Sequence, residues 1–401
     1  MEAAEVDLHS ETHLRALERN TIQGREQLVL PLYEYLGIDY EDVEKGGLSL
    51  HLYGWGRKDL TASDYFDPDG DGELLYGYLE YARPYGSFNA RLGRQRIVAG
   101  ITNEIVDGLG LAYNLGRYLT LSAFGGLPAA YYEENGSGGD HIFGGRVAHH
   151  LGRAYQVGIA YQTIVDDAET VAETAGVDLT ADLSRHISLS GLSAYNMDTN
   201  QWREHRYEGE LRLGVLTLAP RYHQFNFEDY FTDGPKAGSL FRFLEDAKET
   251  LTLYGGDAEV AIGTRLVLGA KATHYHYDQR NEDALYTAGL VTFGRHSALE
   301  AGVEAGQMWG DSDDNRYRLY RGYLYWQVGG KLLREAFVSA DAQLVDYETD
   351  IYGDSQAQFY QLGVGGRLWP DFLTLKISVG YAQDPYYDED VSAILSLILD
   401  R

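Results

Sequence analysis

The stretch of sequence that decides the fold lies near the end of the chain and reads Leu373-Thr374-Leu375-Lys376-Ile377-Ser378-Val379-Gly380-Tyr381. Apolar side chains occupy its odd positions, and small or polar residues occupy the even ones. Because successive side chains of a β-strand point to opposite faces, this stretch has one apolar and one polar face. Such a strand suits a wall between two solvents. We therefore predict that the odd-numbered residues contact lipid and that Thr374, Lys376 and Ser378 face water.

The same period-two alternation recurs along the chain. In residues 299–306, leucine, alanine and valine alternate with the polar or small residues Glu300, Gly302, Glu304 and Gly306. Residues 336–344 set alanine, valine and leucine against Ser339, Asp341 and Gln343, and residues 48–52 repeat the pattern. Helical periodicity of comparable length is confined to the first 25 residues. The sequence therefore predicts an all-β fold.

Turn signals divide these strands in a regular way. Short breaks such as Gly116-Arg117 and Gly263-Thr264 alternate with polar loops such as residues 61–71, 100–105 and 227–246. Short turns at one end, long loops at the other, and strands of roughly 10 to 14 residues are typical of outer-membrane proteins. We predict a closed transmembrane antiparallel β-barrel of about 20 strands in the outer membrane of a Gram-negative bacterium, in contact with its lipid.

A soluble propeller, solenoid or tandem sandwich is the alternative fold, since each also consists of many short strands. We find no recurring blade motif, and the sequence places many aromatic residues near strand ends. Aromatic girdles of this kind flank the apolar band of membrane barrels. The predicted girdle residues are Tyr76, Tyr78, Tyr81, Tyr317, Tyr320, Tyr323, Tyr325 and Trp326.

Composition excludes several functions. The chain has 61 acidic and 33 basic residues, a net charge of -28 that repels nucleic-acid phosphates. It has no cysteine, so it cannot form a disulfide, a thiolate zinc site or a covalent c-type haem attachment. Any haem must therefore belong to a partner. The start of the chain lacks a signal peptide pattern, and we expect the mature form of an exported protein. Without a nucleophile elbow, a His-Glu-x-x-His motif or a phosphate loop, we do not expect an enzyme.

Two segments stand apart from the alternating pattern. Residues 1–46 are charged and weakly periodic, and we predict a periplasmic or lumenal segment there, followed by a barrel over residues 47–401. This first segment is too short for the plug of an active transporter. Within the first long loop, Asp67, Asp69 and Asp71 alternate and precede Gly72, as in loops that wrap calcium. A calcium site and a merely solvated acidic loop are both compatible with this pattern.

A resemblance to a known family gives a more specific expectation. The order Tyr33-Glu34-Tyr35-Leu36, Gly54-Trp55-Gly56-Arg57, Leu75-Tyr76-Gly77-Tyr78-Leu79, Gly93-Arg94-Gln95 and Asp107-Gly108-Leu109 resembles the barrels of porin-cytochrome conduits of metal-reducing bacteria. Residues 88–100 also resemble the arginine-rich strand of Gram-negative porins. The resemblance implies a barrel that sheathes a multihaem c-type cytochrome, with periplasmic and extracellular cytochromes as partners in extracellular electron transfer.

A general or cation-preferring diffusion porin is the alternative function. Both functions need a wide lumen, and both agree with an acidic one, which would attract small cations or a basic cytochrome. We predict that the lumen is lined in part by Glu300, Glu304, Asp341 and Lys376.

Overall fold

The computed structural model describes residues 5–20, 26–42, 47–61, 66, 70–82, 87–129, 139–167, 169–227, 248–295, 297–329, 334–369, 372–385 and 387–400. Nearly all of them are β-strand. The strands are β1 (Glu5–Asn20), β2 (Glu26–Val29), β3 (Pro31–Asp42), β4 (Leu48–Asp59), β5 (Gly70–Ala82), β6 (Phe88–Ala99), β7 (Thr102–Leu115), β8 (Leu119–Ala129), β9 (His141–Leu151), β10 (Tyr155–Asp166), β11 (Glu169–Ser184), β12 (Ile187–Asn196), β13 (Gln201–Leu213), β14 (Leu216–Asn226), β15 (Thr250–Ile262), β16 (Leu266–Tyr277), β17 (Glu282–Phe293), β18 (Leu299–Gly310), β19 (Tyr317–Val328), β20 (Arg334–Ile351), β21 (Asp354–Trp369), β22 (Leu373–Asp384) and β23 (Tyr387–Asp400).

The sheet closes on itself. Each strand pairs antiparallel with the next along the chain, and β1 pairs with β23 from His9 and Asp400 to Leu17 and Ser392. β2 extends the pairing of β3 with β1 in one register, so the described strands occupy 22 positions in the ring. This confirms the predicted closed antiparallel barrel of about 20 strands. The described residues contain no helix long and apolar enough to cross a bilayer.

The two faces of the wall differ as the alternation predicts. Residues directly opposite each other on paired strands share a face. On the outer face the apolar side chains are exposed, for example Ile159 at 65%, Val303 at 60% and Leu362 at 65%. Ile377 and Val379 pair with Val364 and Leu362 on that face. A continuous apolar outer surface is what a barrel wall presents to hydrocarbon.

The predicted aromatic girdles are only partly correct. The register places Tyr81, Tyr320 and Trp326 on the outer face, opposite Leu48, Leu344 and Val338. The remaining predicted girdle residues lie on the inner face, because a one-residue step in a strand reverses the direction of the side chain. These inward-facing residues are Tyr76, Tyr78, Tyr317, Tyr323 and Tyr325.

The structure corrects the boundary of the barrel. Residues 1–46 were predicted to lie outside the wall, yet β1 and β3 pair with each other and with β23 and β4. The apolar column of these strands is interrupted by Ser10, Thr12 and Glu34, which hides the alternation in the sequence. The hydroxyls of Ser10 and Thr12 donate to Glu34 at 2.6 and 2.5 Å, so the three polar groups satisfy one another on the outer face. Within the part of the chain that the structure describes, the wall begins at Glu5.

Candidate functional site

One hairpin of the barrel leaves the wall. β5 and β6 are paired only from Ala82 and Asn89 to Gly77 and Arg94, although β5 continues to Gly70 and β6 to Ala99. Gly93, next to the last pair, has φ +127, a conformation that suits glycine. A Cβ atom at this position would come within 2.2 Å of the Gly77 carbonyl oxygen. The strand therefore bends at a position that only glycine fits.

Beyond this bend the hairpin folds into the barrel and lies against the neighbouring strands, while β7 stays paired with β8 up to Ile105 and Ala129. We call residues 95–106 the inner hairpin. At its tip, a Cβ on Gly100 would lie 2.5 Å from the Asp178 carboxylate and 3.1 Å from the Ala160 side chain. A Cβ on Gly176 of β11 would likewise lie close to the Ile101 side chain. The tip of the β6–β7 hairpin thus rests against the inner surface of β9, β10 and β11 and narrows the lumen.

An apolar cluster holds the inner hairpin against the wall. Val106 packs with Phe124, Ile142 and Ile164 of β8, β9 and β10, and Ile97 joins the same cluster. Val106 and Ile142 are each only 1% exposed, although both point toward the inside of the barrel. Burial of this kind is favourable by roughly 1.5–3 kcal/mol per side chain. The hairpin is therefore a packed element.

Polar contacts fix the same element. The Gln162 amide donates to Glu104 at 3.1 Å, joining β10 to β7 across the intervening strands. Gln95 is 1% exposed, and its amide donates to the carbonyls of Arg91 and Gly108 at 3.1 and 3.2 Å. These bonds tie the base and the side of the hairpin to the wall.

A half-buried ion pair lies under the tip of the hairpin. Arg146 donates to the Asp178 carboxylate through Nε at 2.8 Å and through Nη2 at 2.5 Å. The pair is packed between two glycines, since a Cβ on Gly158 or on Gly100 would lie 2.5 Å from it. It borders a cavity of about 500 Å³ that is also lined by Arg206 and Glu208. Charged groups of both signs thus line the narrowed part of the lumen.

The inner surface of β3, β4 and β5 is aromatic. We call its side chains the aromatic wall: Tyr33, Tyr35, His51, Tyr53, Trp55, Tyr76 and Tyr78. Tyr35 stacks on Tyr53 at 6.3 Å, Tyr53 on Tyr76 at 5.5 Å, and His51 on Tyr78 at 4.9 Å between ring centroids. Tyr33 and Trp55 form a further pair at 6.1 Å. The rings stack along the sheet and therefore turn their edges toward the lumen.

The predicted lumenal residues lie elsewhere on the inner surface. Glu304 on β18 accepts from Lys271 at 3.1 Å and from the Tyr286 hydroxyl at 3.2 Å. Asp341 on β20 accepts two bonds from Arg321, and the Tyr323 hydroxyl donates to Glu300 at 3.5 Å. These three carboxylates flank β19 and share one patch. Lys376 on β22 lies apart from them, between Gly365 and Ser396 in the register.

The predicted calcium loop falls largely outside the described residues. Asp67 and Asp69 belong to the part of the chain that the structure does not describe. Asp71 is at the start of β5, where its carboxylate is 3.8 Å from Arg57 Nη2 and accepts from the backbone N–H of Gly72. The described residues contain no group of three or more His, Cys, Asp or Glu side chains that could hold a metal ion. The calcium site therefore stays a prediction.

Reasoning from sequence did not predict the inner hairpin. Residues 100–105 were predicted to be a loop, whereas β6 and β7 continue to Ala99 and from Thr102. Gly93 and Gly108, which pair with each other at the bend, are the signal that reasoning from sequence could have used. Glycine inside a strand often marks a bend or a close approach of two backbones.

Comparisons with known proteins give a likeness in fold. No family model and no curated protein matches the chain. The P pilus usher PapC translocation pore is similar with a TM-score of 0.53 and 11% identity, covering 98% of this chain and 99% of PapC. Two Pseudomonas aeruginosa proteins have lower TM-scores of 0.46. OccK2 (OpdF), solved with glucuronate, is 12% identical over 99% of this chain and 98% of its own. OccD3 (OpdP) is 8% identical over 100% and 92%.

The fold and the outer surface together indicate where in the cell the protein resides. A closed ring of antiparallel strands with an apolar outer face is the form in which β-structure spans a membrane. The predicted outer-membrane location in a Gram-negative bacterium is confirmed. The chain is a porin-like barrel in contact with outer-membrane lipid.

Proposed function

We propose that the protein is a diffusion pore for small polar solutes, with a preference for cations. The observation that carries the proposal is the inner hairpin, which narrows the lumen beside the ion pair of Arg146 and Asp178. A pore that is narrowed by a packed element and lined by charges selects solutes by size and by sign of charge. Such a pore needs no chemical step, which agrees with the expectation that the chain is not an enzyme.

The preference for cations rests on the balance of charge. The chain carries 61 acidic against 33 basic residues. Several inward-facing basic groups are neutralised, since Lys271, Arg321 and Arg146 each pair with a carboxylate. The acidic excess therefore sets the potential around and inside the pore, and a narrow low-dielectric channel focuses that potential.

Sheathing of a multihaem cytochrome, which the family resemblance implies, makes a different demand on the lumen. A cytochrome that crosses the membrane inside a barrel needs a lumen clear of the barrel's own elements. The inner hairpin is held against β8 to β11 by buried apolar contacts, so moving it aside would expose Val106 and Ile142. For this reason we favour the diffusion pore over the sheath.

Planar bilayers test the proposal. We expect the purified protein to form ion-conducting pores whose reversal potential in a KCl gradient shows cation preference. Asp178→Asn leaves the Arg146 guanidinium without its carboxylate, so the preference for cations should fall. Asp341→Asn, the matched control, removes an equal charge away from the inner hairpin and should have a smaller effect.

Haem absorption separates the two functions. A protein that comes out of its native membrane with haem in fixed ratio, and that conducts only after the cytochrome is removed, would establish the sheath. Equal effects of the two substitutions would show that the inner hairpin does not form the selective part of the pore.

A further inference from the structure

We propose that the barrel has a second opening, through its wall between β5 and β6, by which small amphipathic aromatic molecules pass between the lumen and the outer leaflet. The wall there lacks the pairing that closes it elsewhere. β5 and β6 share six register pairs, from Ala82 with Asn89 to Gly77 with Arg94. Above this point, β5 remains paired with β4 up to Gly70, and β6 with β7 up to Ala99. No described residue bridges the two strands by strand pairing over that length.

The separation is built into both strands. β5 has a bulge beside Gly54, where its register with β4 shifts between Tyr53 and Gly54. β6 bends at Gly93, and the inner hairpin that follows packs on the inner surface of β8, β9 and β10. Bulges often end strand pairing next to functional sites. These two distortions lie at the same height, and together they separate β5 from β6.

The unpaired stretch between β5 and β6 lies at the height of the membrane. Residues 77–82 of β5, which pair with β6, span about 15 Å along the barrel axis, given about 3.3 Å per residue and a tilt near 40°. The apolar band of such barrels is about 25 Å tall. Just below the unpaired stretch, Leu79 and Leu92 are exposed on the outer face at 46% and 59%. The connection from β5 to β6 is one of the short turns, which lie on the periplasmic side of such barrels, so the opening faces the outer-leaflet half of the bilayer.

Backbone groups at this depth need partners. Unpaired N–H and C=O groups are not tolerated against hydrocarbon, but they are tolerated where they line a cavity that contains water or a polar group. The strand edges that border the opening are therefore suited to contact with a solute that carries both polar and apolar parts. A purely apolar solute would leave them unsatisfied.

Arg94 defines the lower edge of the opening. It donates to the Asp107 carboxylate through Nε and Nη2 at 2.8 Å each. Its Nη1 donates across the gap to the Leu74 carbonyl of β5 at 2.9 Å and is 3.4 Å from Glu73 Oε1. One guanidinium thus joins β5 to β7 at the point where strand pairing stops. It also offers a polar edge to a passing solute.

The aromatic wall leads to this opening from the inside. Tyr76 lies on β5 beside the unpaired stretch and stacks on Tyr53, which stacks on Tyr35. Aromatic rings prefer to meet other rings edge to face or offset, and these rings turn their edges to the lumen. A solute with an aromatic ring and a polar group matches both the wall and the polar edge at Arg94. This chemistry indicates the class of molecule.

The absence of native cysteine makes the test direct. Leu74→Cys and Asp107→Cys place thiols on β5 and β7, the two sides of the opening that Arg94 joins, where both native side chains are partly exposed. A short bifunctional maleimide should join them and obstruct the passage. The matched control pair, Leu79→Cys with Leu92→Cys, lies in register in the paired part of β5 and β6. The cysteine-free parent, treated identically, controls for the reagent.

Uptake of N-phenyl-1-naphthylamine, an aromatic amine that fluoresces in lipid, measures the passage in intact cells that express each variant. We expect the joined 74/107 pair to slow uptake several-fold relative to the parent and to the joined 79/92 pair, with ion conductance in planar bilayers retained. Unchanged uptake would overturn the proposal. Spontaneous disulfide formation in the 74/107 pair would do so as well, because it requires Cα atoms within about 7 Å. Loss of conductance in the parent would instead count against the diffusion pore.

Discussion

Single glycines decide where the wall of this barrel bends. Gly93 combines a φ of +127 with a 2.2 Å approach of its missing Cβ to the Gly77 carbonyl oxygen. A side chain there would be strained in two ways, whereas Gly322 on the outer face has an ordinary φ and open space around it. The same residue type is therefore required at one position and replaceable at the other.

We expect Gly93→Ala to lower the free energy of unfolding by about 1–3 kcal/mol, the usual range for a residue forced into a strained conformation. Gly322→Ala is the control and should be close to neutral. Urea unfolding in detergent, followed by tryptophan fluorescence, measures both. Equal stability of the two variants would show that β6 does not need the bend.

The polar group on the outer face makes a second prediction at this scale. Glu34 accepts hydrogen bonds from Ser10 and Thr12 in an otherwise apolar column. Removing both donors with Ser10→Ala and Thr12→Val leaves a carboxylate without partners and should destabilise the barrel by about 1.5–3 kcal/mol. Adding Glu34→Leu to that double variant should restore most of the stability, because lipid accepts an apolar residue. The prediction is wrong if the triple variant is the least stable of the three.

The inner hairpin is the element in which this barrel departs from a plain wall of paired strands. Its strands were predictable from alternation up to Leu92, because Phe88, Ala90 and Leu92 form an apolar column. Beyond that point, Arg94 and Arg96 occupy the apolar positions, and the direction of the strand depends on contacts with β8 to β11 that are distant in sequence. Local pattern specifies the face of a strand, but it does not specify whether the strand stays in the wall.

We expect Val106→Ala and Ile142→Ala, which remove apolar atoms from opposite sides of the same contact, to loosen the hairpin. Ile142→Ala should cost about 2–5 kcal/mol locally and Val106→Ala, which removes fewer atoms, less. Both should produce larger or noisier single-channel currents in planar bilayers. Leu362→Ala, on the lipid-facing surface, is the control and should leave the currents unchanged. Identical currents in all three variants would contradict a constriction formed by this hairpin.

At the scale of the whole molecule, alternation predicted the fold class well because a barrel wall repeats one physical requirement in every strand. The inward position of Glu304 beside Lys271 follows from the same rule. The aromatic wall did not follow from it, since tyrosine suits both a membrane interface and a wet lumen. β1 and β3 were missed because Ser10, Thr12 and Glu34 replace apolar residues at mid-strand.

The closure of the ring gives the last prediction. β1 supplies the partner of β23, from His9 with Asp400 to Leu17 with Ser392, and β3 joins β1 to β4. A chain that starts at residue 47 would leave the edges of β4 and β23 without their partners, and open strand edges are not tolerated in a bilayer.

We therefore expect residues 47–401 alone to fail to refold into detergent or lipid. The full chain should refold and show the shift in gel mobility on heating that marks a folded barrel. Adding residues 1–46 as a separate peptide tests the mechanism, because strand pairing needs no covalent link and should recover part of the folded form. If residues 47–401 refold and conduct as well as the full chain, β1, β2 and β3 are dispensable and the barrel closes between β4 and β23.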